Sequence, residues 1–596
     1  MTHAGDPRAA YETKLAAHRA RAAERARVQS WLSNARLAVF FVGAALAFFV
    51  FAPPRLPLAT LVPPALAFLA LVVWHDRVIR ARRRAERGAA WFEAGLARLD
   101  GRFAELAAGE RFRDAEHLYA EDLDLFGAGS LFALLCRART PSGEETLARW
   151  LLSQASPGEI RARQAAVAEL RDLLDLRERL ALVGEEVAPR LHARELVAWG
   201  AAAGAAPRTR ERAAALGLSI LSGATLAAWI FFGSGPFPWL AALLVQSVFA
   251  WWRRARLRDC LAGVERVGRD LDLLAELLAC LEAQRFSSER LVALRRLVET
   301  RDRPPSWQIA RLRLLRDLAD ARRNQLFTPV GAIFAFTTQV ALALEAWRAR
   351  CGPALATWID AVAELEALAS LAAQAFEHPA DPFPEIVEAG PCFEAEGLGH
   401  PLLLEERCVR NDVALSDELR LLVVSGSNMS GKSTFLRSVG VNAVLALAGG
   451  SVRARRLQIS PLAVGASIRL HDSLLEGTSR FYAEITRLKQ IVSATGGGLP
   501  VLFLLDEILH GTNSHDRRIG AEAVLRGLVE RGAVGLVTTH DLALARIAED
   551  LAPHAANVHF EDHLEDGRVS FDYRLRPGVV TKSNALDLMR AVGLEV

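Results

Sequence analysis

Three hydrophobic patterns divide this chain. The first is unbroken apolarity. Eighteen uncharged residues lie between Arg36 and Arg55, twenty between Arg55 and Asp76, and forty between Arg212 and Arg253, the last run interrupted by Gly233-Ser234-Gly235-Pro236. These runs are apolar all round rather than on one face, and about 20 residues of helix cross a bilayer core. They predict two helical hairpins of two spans each, residues 37–74 and 213–252. The second pattern is amphipathic. Apolar residues recur at three- and four-residue spacing over Glu144 to Ser153, Ile160 to Leu182 and Leu257 to Leu297, which predicts a largely helical region. The third consists of short, wholly apolar runs that end at polar residues: Leu421 to Val424, Val501 to Leu505 and Val534 to Val537. Such runs read as buried parallel strands.

These patterns set the expected domains. A charged arm (1–36) precedes the first hairpin, and a helical core (75–212 and 253–378) is split by the second. The Pro-rich segment His378 to Pro384 then opens an α/β domain over 379–596. Arginine placement orients the hairpins. Arg19, Arg21, Arg25, Arg27 and Arg36 precede the first, and Arg77, Arg80, Arg82, Arg83, Arg84 and Arg87 follow it. Arg208, Arg210 and Arg212 precede the second, and Arg253, Arg254, Arg256 and Arg258 follow, whereas only Arg55 sits in a connecting turn. Positive residues stay cytoplasmic, so both hairpins return to the cytoplasm and leave the α/β domain there. Tryptophans Trp74, Trp239, Trp251 and Trp252 fall near the expected interfaces. A third uncharged run, Asn324 to Leu344, carries several amides and threonines. A fifth span would put the α/β domain on the far side, so this run reads as a soluble core helix. The localisation expected is an inner or plasma membrane, multi-pass.

The strand ends carry the chemistry. Gly426-Ser427-Asn428-Met429-Ser430-Gly431-Lys432-Ser433-Thr434 lies between the first strand and a helix-like segment, the context of a phosphate-binding loop. Backbone N–H groups there face phosphate at the positive end of a helix. Lys432 can reach the β- and γ-phosphates, and Ser433 can ligate Mg²⁺. Asp506 and Glu507 end the second strand, where one carboxylate can hold the metal shell and the next can activate water. His540 follows the third strand and can sense the γ-phosphate or position water. Together these residues predict a domain that binds and hydrolyses ATP.

Asp506-Glu507-Ile508-Leu509-His510-Gly511-Thr512-Asn513 resembles the acidic strand end and loop of the MutS mismatch-repair ATPases. Gly477 to Glu484 resembles the segment by which these proteins complete a partner's nucleotide site. That resemblance implies that Ser479 approaches the γ-phosphate across a dimer. Tyr573 to Gly578 with Ser583-Asn584-Ala585 is similar to the end of the family's ATPase domain. Gly399-His400-Pro401 and Asn411-Asp412 look like its adenine side. More weakly, Thr140-Pro141-Ser142-Gly143 and Arg163 to Val167 resemble the start of its helical core. The family implies ATP and Mg²⁺ as cofactors, a homodimer with composite sites, and DNA as a partner. The chain departs from it by carrying a membrane hairpin where the mismatch-reading domain would stand. Phe103-Ala104-Glu105 matches that domain's aromatic–acid wedge in letters alone. The fold expected is thus an α/β P-loop ATPase domain of the ABC/MutS type joined to an all-α helical core with two transmembrane hairpins.

Composition adds limits. The net charge is only +3, so no strong basic field announces nucleic acid. Arginines beside apolar spans are better matched to anionic lipid headgroups. Lysine occurs only at Lys14, Lys432, Lys489 and Lys582. Cys136, Cys260, Cys280, Cys351, Cys392 and Cys408 show no zinc spacing and fit free thiols. The output expected is ATP-dependent DNA binding related to mismatch repair or recombination, and the alternative is a signalling or membrane-remodelling ATPase without DNA. An ABC-type exporter is disfavoured, because no Leu-Ser-Gly-Gly signature precedes Asp506.

Overall fold

The computed structural model of the chain describes residues 6–52, 56–103, 108–183, 193–202, 209–299, 303–321, 331, 333–427, 429–469, 480–509, 512–565 and 568–580. Contacts group it into two compact units. One comprises residues 1–134, 374–443 and 451–596; the other comprises 135–373 and 444–450. Residues 75–134, expected with the helical core, therefore pack in the unit that holds the sheets. The physical reason is a set of buried contacts made by the end of the first hairpin and the segment after it.

In the first unit, helices Pro7–Phe51 and Val62–Leu99 run side by side as an antiparallel pair. Their distal parts expose Phe40, Phe41, Phe48, Leu66 and Leu69. At the foot of that apolar zone Trp31 packs edge-on against Trp74, and Arg36 Nη1 lies 2.9 Å from His75 Nδ1. Beyond this level the pair continues as an ordinary packed hairpin. It ends on a buried cluster: Arg98 Nη2 donates to Glu377 Oε1 at 2.5 Å, Arg98 Nε reaches both carboxylate oxygens at 3.1 Å, and Tyr11 Oη donates at 3.1 Å. Glu377 is the last residue of helix Leu355–Glu377, immediately before the Pro-rich segment.

Two sheets follow. The smaller contains β1 (Glu385–Ile386), β2 (Phe393–Leu398), β3 (Asn411–Leu415) and β5 (Arg456–Ile459) in the order β1-β5-β2-β3. The larger contains β4 (Leu421–Ser425), β6 (Ala463–Ser467), β7 (Val501–Asp506), β8 (Val534–Thr539), β9 (Ala555–Glu565) and β10 (Arg568–Pro577) in the order β10-β9-β4-β8-β7-β6. All its neighbours pair in parallel except β9 with β10. The three apolar runs read from sequence are β4, β7 and β8 at its centre, and their apolar residues are buried throughout. Phe503, Leu505 and Val537 pack with Leu525 and Leu528 of helix Ser514–Glu530 and Ile491 of helix Arg480–Ala494. Asn513 caps helix Ser514–Glu530 by accepting from Asp516 N at 2.9 Å.

Residues 115–124 form a strap over the β6 edge. Leu118 O accepts from Ala466 N at 2.8 Å, and Asp122 Oδ1 accepts from Ile468 N and Arg469 N at 2.7 Å each. Arg487 donates to the carbonyls of Ala115, Glu116 and His117. Leu123 fills the space above Gly440, where a Cβ would come within 2.5 Å of it. Phe103, the wedge look-alike, is buried against Ala133 and Leu134.

The second unit is helical among its described residues. Thr140 caps helix Pro141–Leu152 by accepting from Gly143 N at 3.0 Å, and its hydroxyl also bonds the fully buried Glu366 carboxylate. Arg139 N donates to the same carboxylate at 2.8 Å. Burial pushes the Glu366 carboxyl up to about 7. Arg163 stacks over Trp150 at 4.0 Å. Both family-like segments of the helical region are thus tied into its core. Among the described residues, three helices are long and apolar enough to cross a membrane by length and composition: Pro7–Phe51, Leu58–Leu99 and Arg210–Phe232. The fourth expected span falls on helix Phe237–Ala283, outside that group, though Leu240, Leu244, Val248, Trp251 and Trp252 along it are exposed.

Candidate functional site

Register decides which side chains meet. Val424 pairs with Thr538 and Ser425 with Thr539, while Asp506 pairs with Thr538 on the other side. The C-terminal ends of β4, β7 and β8 therefore lie abreast, where ligands bind in open α/β sheets. The loop after β4 turns into helix Lys432–Ala448. It needs two special backbones. Gly431 sits at φ 101°, and a Cβ there would press on the Tyr573 ring at 3.0 Å; Gly426 sits at φ 154° against Phe560 O. Met429 adopts φ 71° and exposes its side chain.

Lys432 is buried and folded back over the loop, with Nζ donating to Gly426 O and Ser427 O at 2.8 Å each. It also lies 3.7 Å from Glu507 Oε1. Burial lowers the Lys432 amine below its ordinary value, partly opposed by the carboxylates of Glu507 and Asp506. Thr538 holds the acidic pair in place: its hydroxyl donates to Asp506 Oδ1 and accepts from Glu507 N at 3.1 Å. Glu507 sits at φ 49°, in the left-handed region. His540 Nδ1 lies 3.3 Å from Glu507 Oε1. Lys432, the adjacent Asp506 and Glu507, and His540 come from three separate segments and are thus one cluster.

A cavity of about 830 Å³ opens beside them. Gly431, Lys432, Ser433, Thr434, Asp506 and Glu507 line it, and so do His400, Cys408, Asn411, Phe560 and Tyr573. The expected adenine-side residues His400 and Asn411 are therefore on the same cavity as the phosphate loop. Burial pushes the His400 imidazole down to about 4, so it is neutral there. Asn411 clamps one wall, donating to Tyr573 O at 3.0 Å and accepting from Leu575 N at 2.8 Å.

The chemistry of the lining fits a nucleotide triphosphate with Mg²⁺. The hydroxyls of Ser427 and Ser430 are buried with no hydrogen-bond partner among the described residues. In the same loop the buried Lys432 ammonium lines the cavity together with the carboxylates of Asp506 and Glu507. Orphaned donors beside a buried ammonium suit an oxyanion. Lys432, Ser433 and Asp506 are the residues that would hold the phosphates and the metal. Asn428 and Ser479, read as binding residues, lie outside the described residues.

Three contributors carried no sequence signal. Thr538 is one hydroxyl at the end of an apolar strand. Phe560 is an ordinary β9 aromatic. Glu484, buried on helix Arg480–Ala494, accepts from Leu509 N and so fixes the loop behind Glu507. Strand register brings Thr538 and Phe560 to the site, and the packing of helix Arg480–Ala494 brings Glu484.

Comparison with known proteins points to the same region. Residues 422–595 match the family MutS domain V. The chain is 36% identical over 242 residues to "DNA mismatch repair protein MutS 2" of Halobacterium salinarum, covering 39% of this chain and 27% of that protein. It is 35% identical over 242 residues to "DNA mismatch repair protein MutS" of Natronomonas pharaonis, with the same coverage of 39% and 27%. The chain thus spans about a quarter of the length of the curated relatives it matches. The segment that builds the phosphate-loop cluster is also the segment similar to MutS domain V.

Proposed function

We propose that the protein is a MutS-type ATPase held in the inner or plasma membrane by its apolar hairpins, with the ATPase domain in the cytoplasm, where it acts on DNA as a homodimer. The observation that carries the catalytic part is the convergence of Lys432, Asp506 and Glu507 on one cavity, with His540 Nδ1 3.3 Å from Glu507 Oε1. The exposed apolar faces of the hairpins support the membrane part, and the MutS-like segment supports the DNA part.

Bound Mg²⁺ supplies neutralisation of charge on the transferring phosphate. The rest falls to this chain. Lys432 leaves the Gly426 and Ser427 carbonyls and turns its ammonium to phosphate. Ser433 and Asp506 would hold the metal, with Asp506 fixed by Thr538. Glu507 orients and deprotonates the attacking water, steered by its contact with His540. Ser479 from a second copy completes the site. Nucleotide binding draws two such domains together, and hydrolysis releases them.

The test is the ATPase rate of detergent-solubilised protein with and without duplex, mismatched and branched DNA, with Lys432→Ala as the blank. Stimulation that fades with rising salt is the expected result, because phosphate contacts are salt-sensitive. Turnover indifferent to every DNA would discard the DNA role in favour of a signalling or membrane-remodelling ATPase. No turnover above the blank would discard the enzyme.

A further inference from the structure

We propose that residues 333–344 form a re-entrant element, dipping into the cytoplasmic leaflet beside the second hairpin and presenting Phe334 to lipid acyl chains. This rests on the reading of that hairpin as membrane-embedded, and revises the expectation of a soluble helix.

A layer of charge marks the level at which the chain leaves water. Arg253 Nη2 lies 2.7 Å from Glu211 Oε2 and 3.5 Å from Glu345 Oε2. These residues sit on helices Thr209–Phe232, Phe237–Ala283 and Phe336–Cys351, so three helices meet at one ionic foot. Beyond it the hairpin carries no charge from 213 to 252, and the third helix none from 336 to 344.

The depth follows from helix geometry. Ser219 lies eight residues past Glu211, and Gln246 seven before Arg253, so at 1.5 Å per residue they stand about 10–12 Å beyond the foot. Phe336 lies nine residues before Glu345, about 14 Å beyond it. The independent contacts agree. Ser219 Oγ is 2.8 Å from Phe334 O, Gln246 Nε2 donates to Ile333 O at 3.4 Å, and Gln339 Nε2 donates to Ser219 Oγ at 3.3 Å.

The third helix breaks there. Ala335 takes φ 47°, leaving the carbonyls of Ile333 and Phe334 outside a helical ladder. Non-helical backbone is tolerated at membrane depth only where protein satisfies it. Two buried polar side chains of the hairpin, Ser219 and Gln246, meet those two carbonyls. Phe334 rests on Gly223 yet remains 48% exposed, and Leu216 and Ile220 of the same hairpin helix are exposed as well. An apolar ring on an apolar surface, past an ionic foot, fits acyl chains rather than water. A dip that returns also keeps the ATPase domain on the side of the arginine-rich flanks, which a fifth span would not.

The test labels Phe334→Cys, Leu221→Cys and Ile519→Cys with bimane in the full chain, subtracting the native cysteines measured on the unsubstituted protein. Each is reconstituted in phosphatidylcholine–phosphatidylglycerol vesicles with plain or brominated acyl chains. Nucleotide binding confirms that each variant is folded. The expected result is loss of fluorescence by bromine at Phe334→Cys equal to that at Leu221→Cys, with none at Ile519→Cys. Quenching at Leu221→Cys alone would overturn the re-entrant element and leave the hairpin standing. Quenching at neither would overturn both.

Discussion

Arg98→Met should cost far more than its place near a helix end suggests. The change leaves the Glu377 carboxylate, with 0% of its side chain exposed, without the guanidinium that now gives it three hydrogen bonds. Removing one member of such a pair costs about 3–5 kcal/mol, because the survivor is a buried charge. Removing both is different. Arg98→Met with Glu377→Leu exchanges the pair for apolar groups of similar volume, which is close to neutral apart from the stranded Tyr11 hydroxyl, about 1–3 kcal/mol. Tyr11→Phe alone keeps the ring against Trp91, Phe92 and Phe376 and loses one bond to a charged acceptor, about 1.5–3 kcal/mol. The order of destabilisation expected is therefore Arg98→Met first, with the double variant and Tyr11→Phe well below it. Urea unfolding of the solubilised protein, read as a double-mutant cycle, measures that order. A double variant as unstable as Arg98→Met or more so would refute the buried pair as the tie between the first hairpin and the ATPase unit.

Glu507→Gln should lower ATP turnover by about 10²–10⁴-fold while leaving nucleotide affinity nearly intact, measured by phosphate release and fluorescent-nucleotide titration. Glu484→Gln should slow turnover by about tenfold without touching nucleotide, because the charge that orders Leu509 N is lost; an equal loss of affinity would argue for a merely structural role. Glu366→Gln should flatten the pH dependence of stability. With the native carboxyl at about 7 and its ordinary value at 4.5, the folded state holds the extra proton, so stability is full below pH 4.5 and declines as pH rises through 7. The decline is at most about 3 kcal/mol, and thermal melts from pH 4.5 to 8 would read its disappearance.

The phosphate loop, the acidic strand end and the three central strands were legible because each is a local signal. A glycine-rich turn, a carboxylate after an apolar run and five consecutive buried residues all announce themselves within a short window. The contacts that bind distant segments did not. Tyr11, Arg98 and Glu377 each look like ordinary positions on an amphipathic helix, and nothing in the spacing foretells that 366 residues of separation close to 3.1 Å between Tyr11 and Glu377. The strap escaped for a similar reason: Asp122 lies in an irregular stretch, and its role as an acceptor depends on the β6 edge that it covers. In sequence, residues 75–134 therefore read as part of the helical core, whereas their contacts group them with the sheets. Thr538 shows the limit within the site itself, since a threonine in an apolar strand has no period or motif to mark it.

The left-handed backbone at Glu507, φ 49°, and at Leu509, φ 58°, has an evolutionary and engineering consequence. A glycine at 507 would accept that conformation at no steric cost, whereas the glutamate carries about 1 kcal/mol or more of backbone strain. The residue that fits the fold best at this point is thus one that cannot activate water. Under the proposed mechanism, selection for heat resistance alone is expected to drive position 507 toward glycine or asparagine and to extinguish turnover on the way. Selection that demands both will keep the glutamate and find its gains elsewhere in the chain.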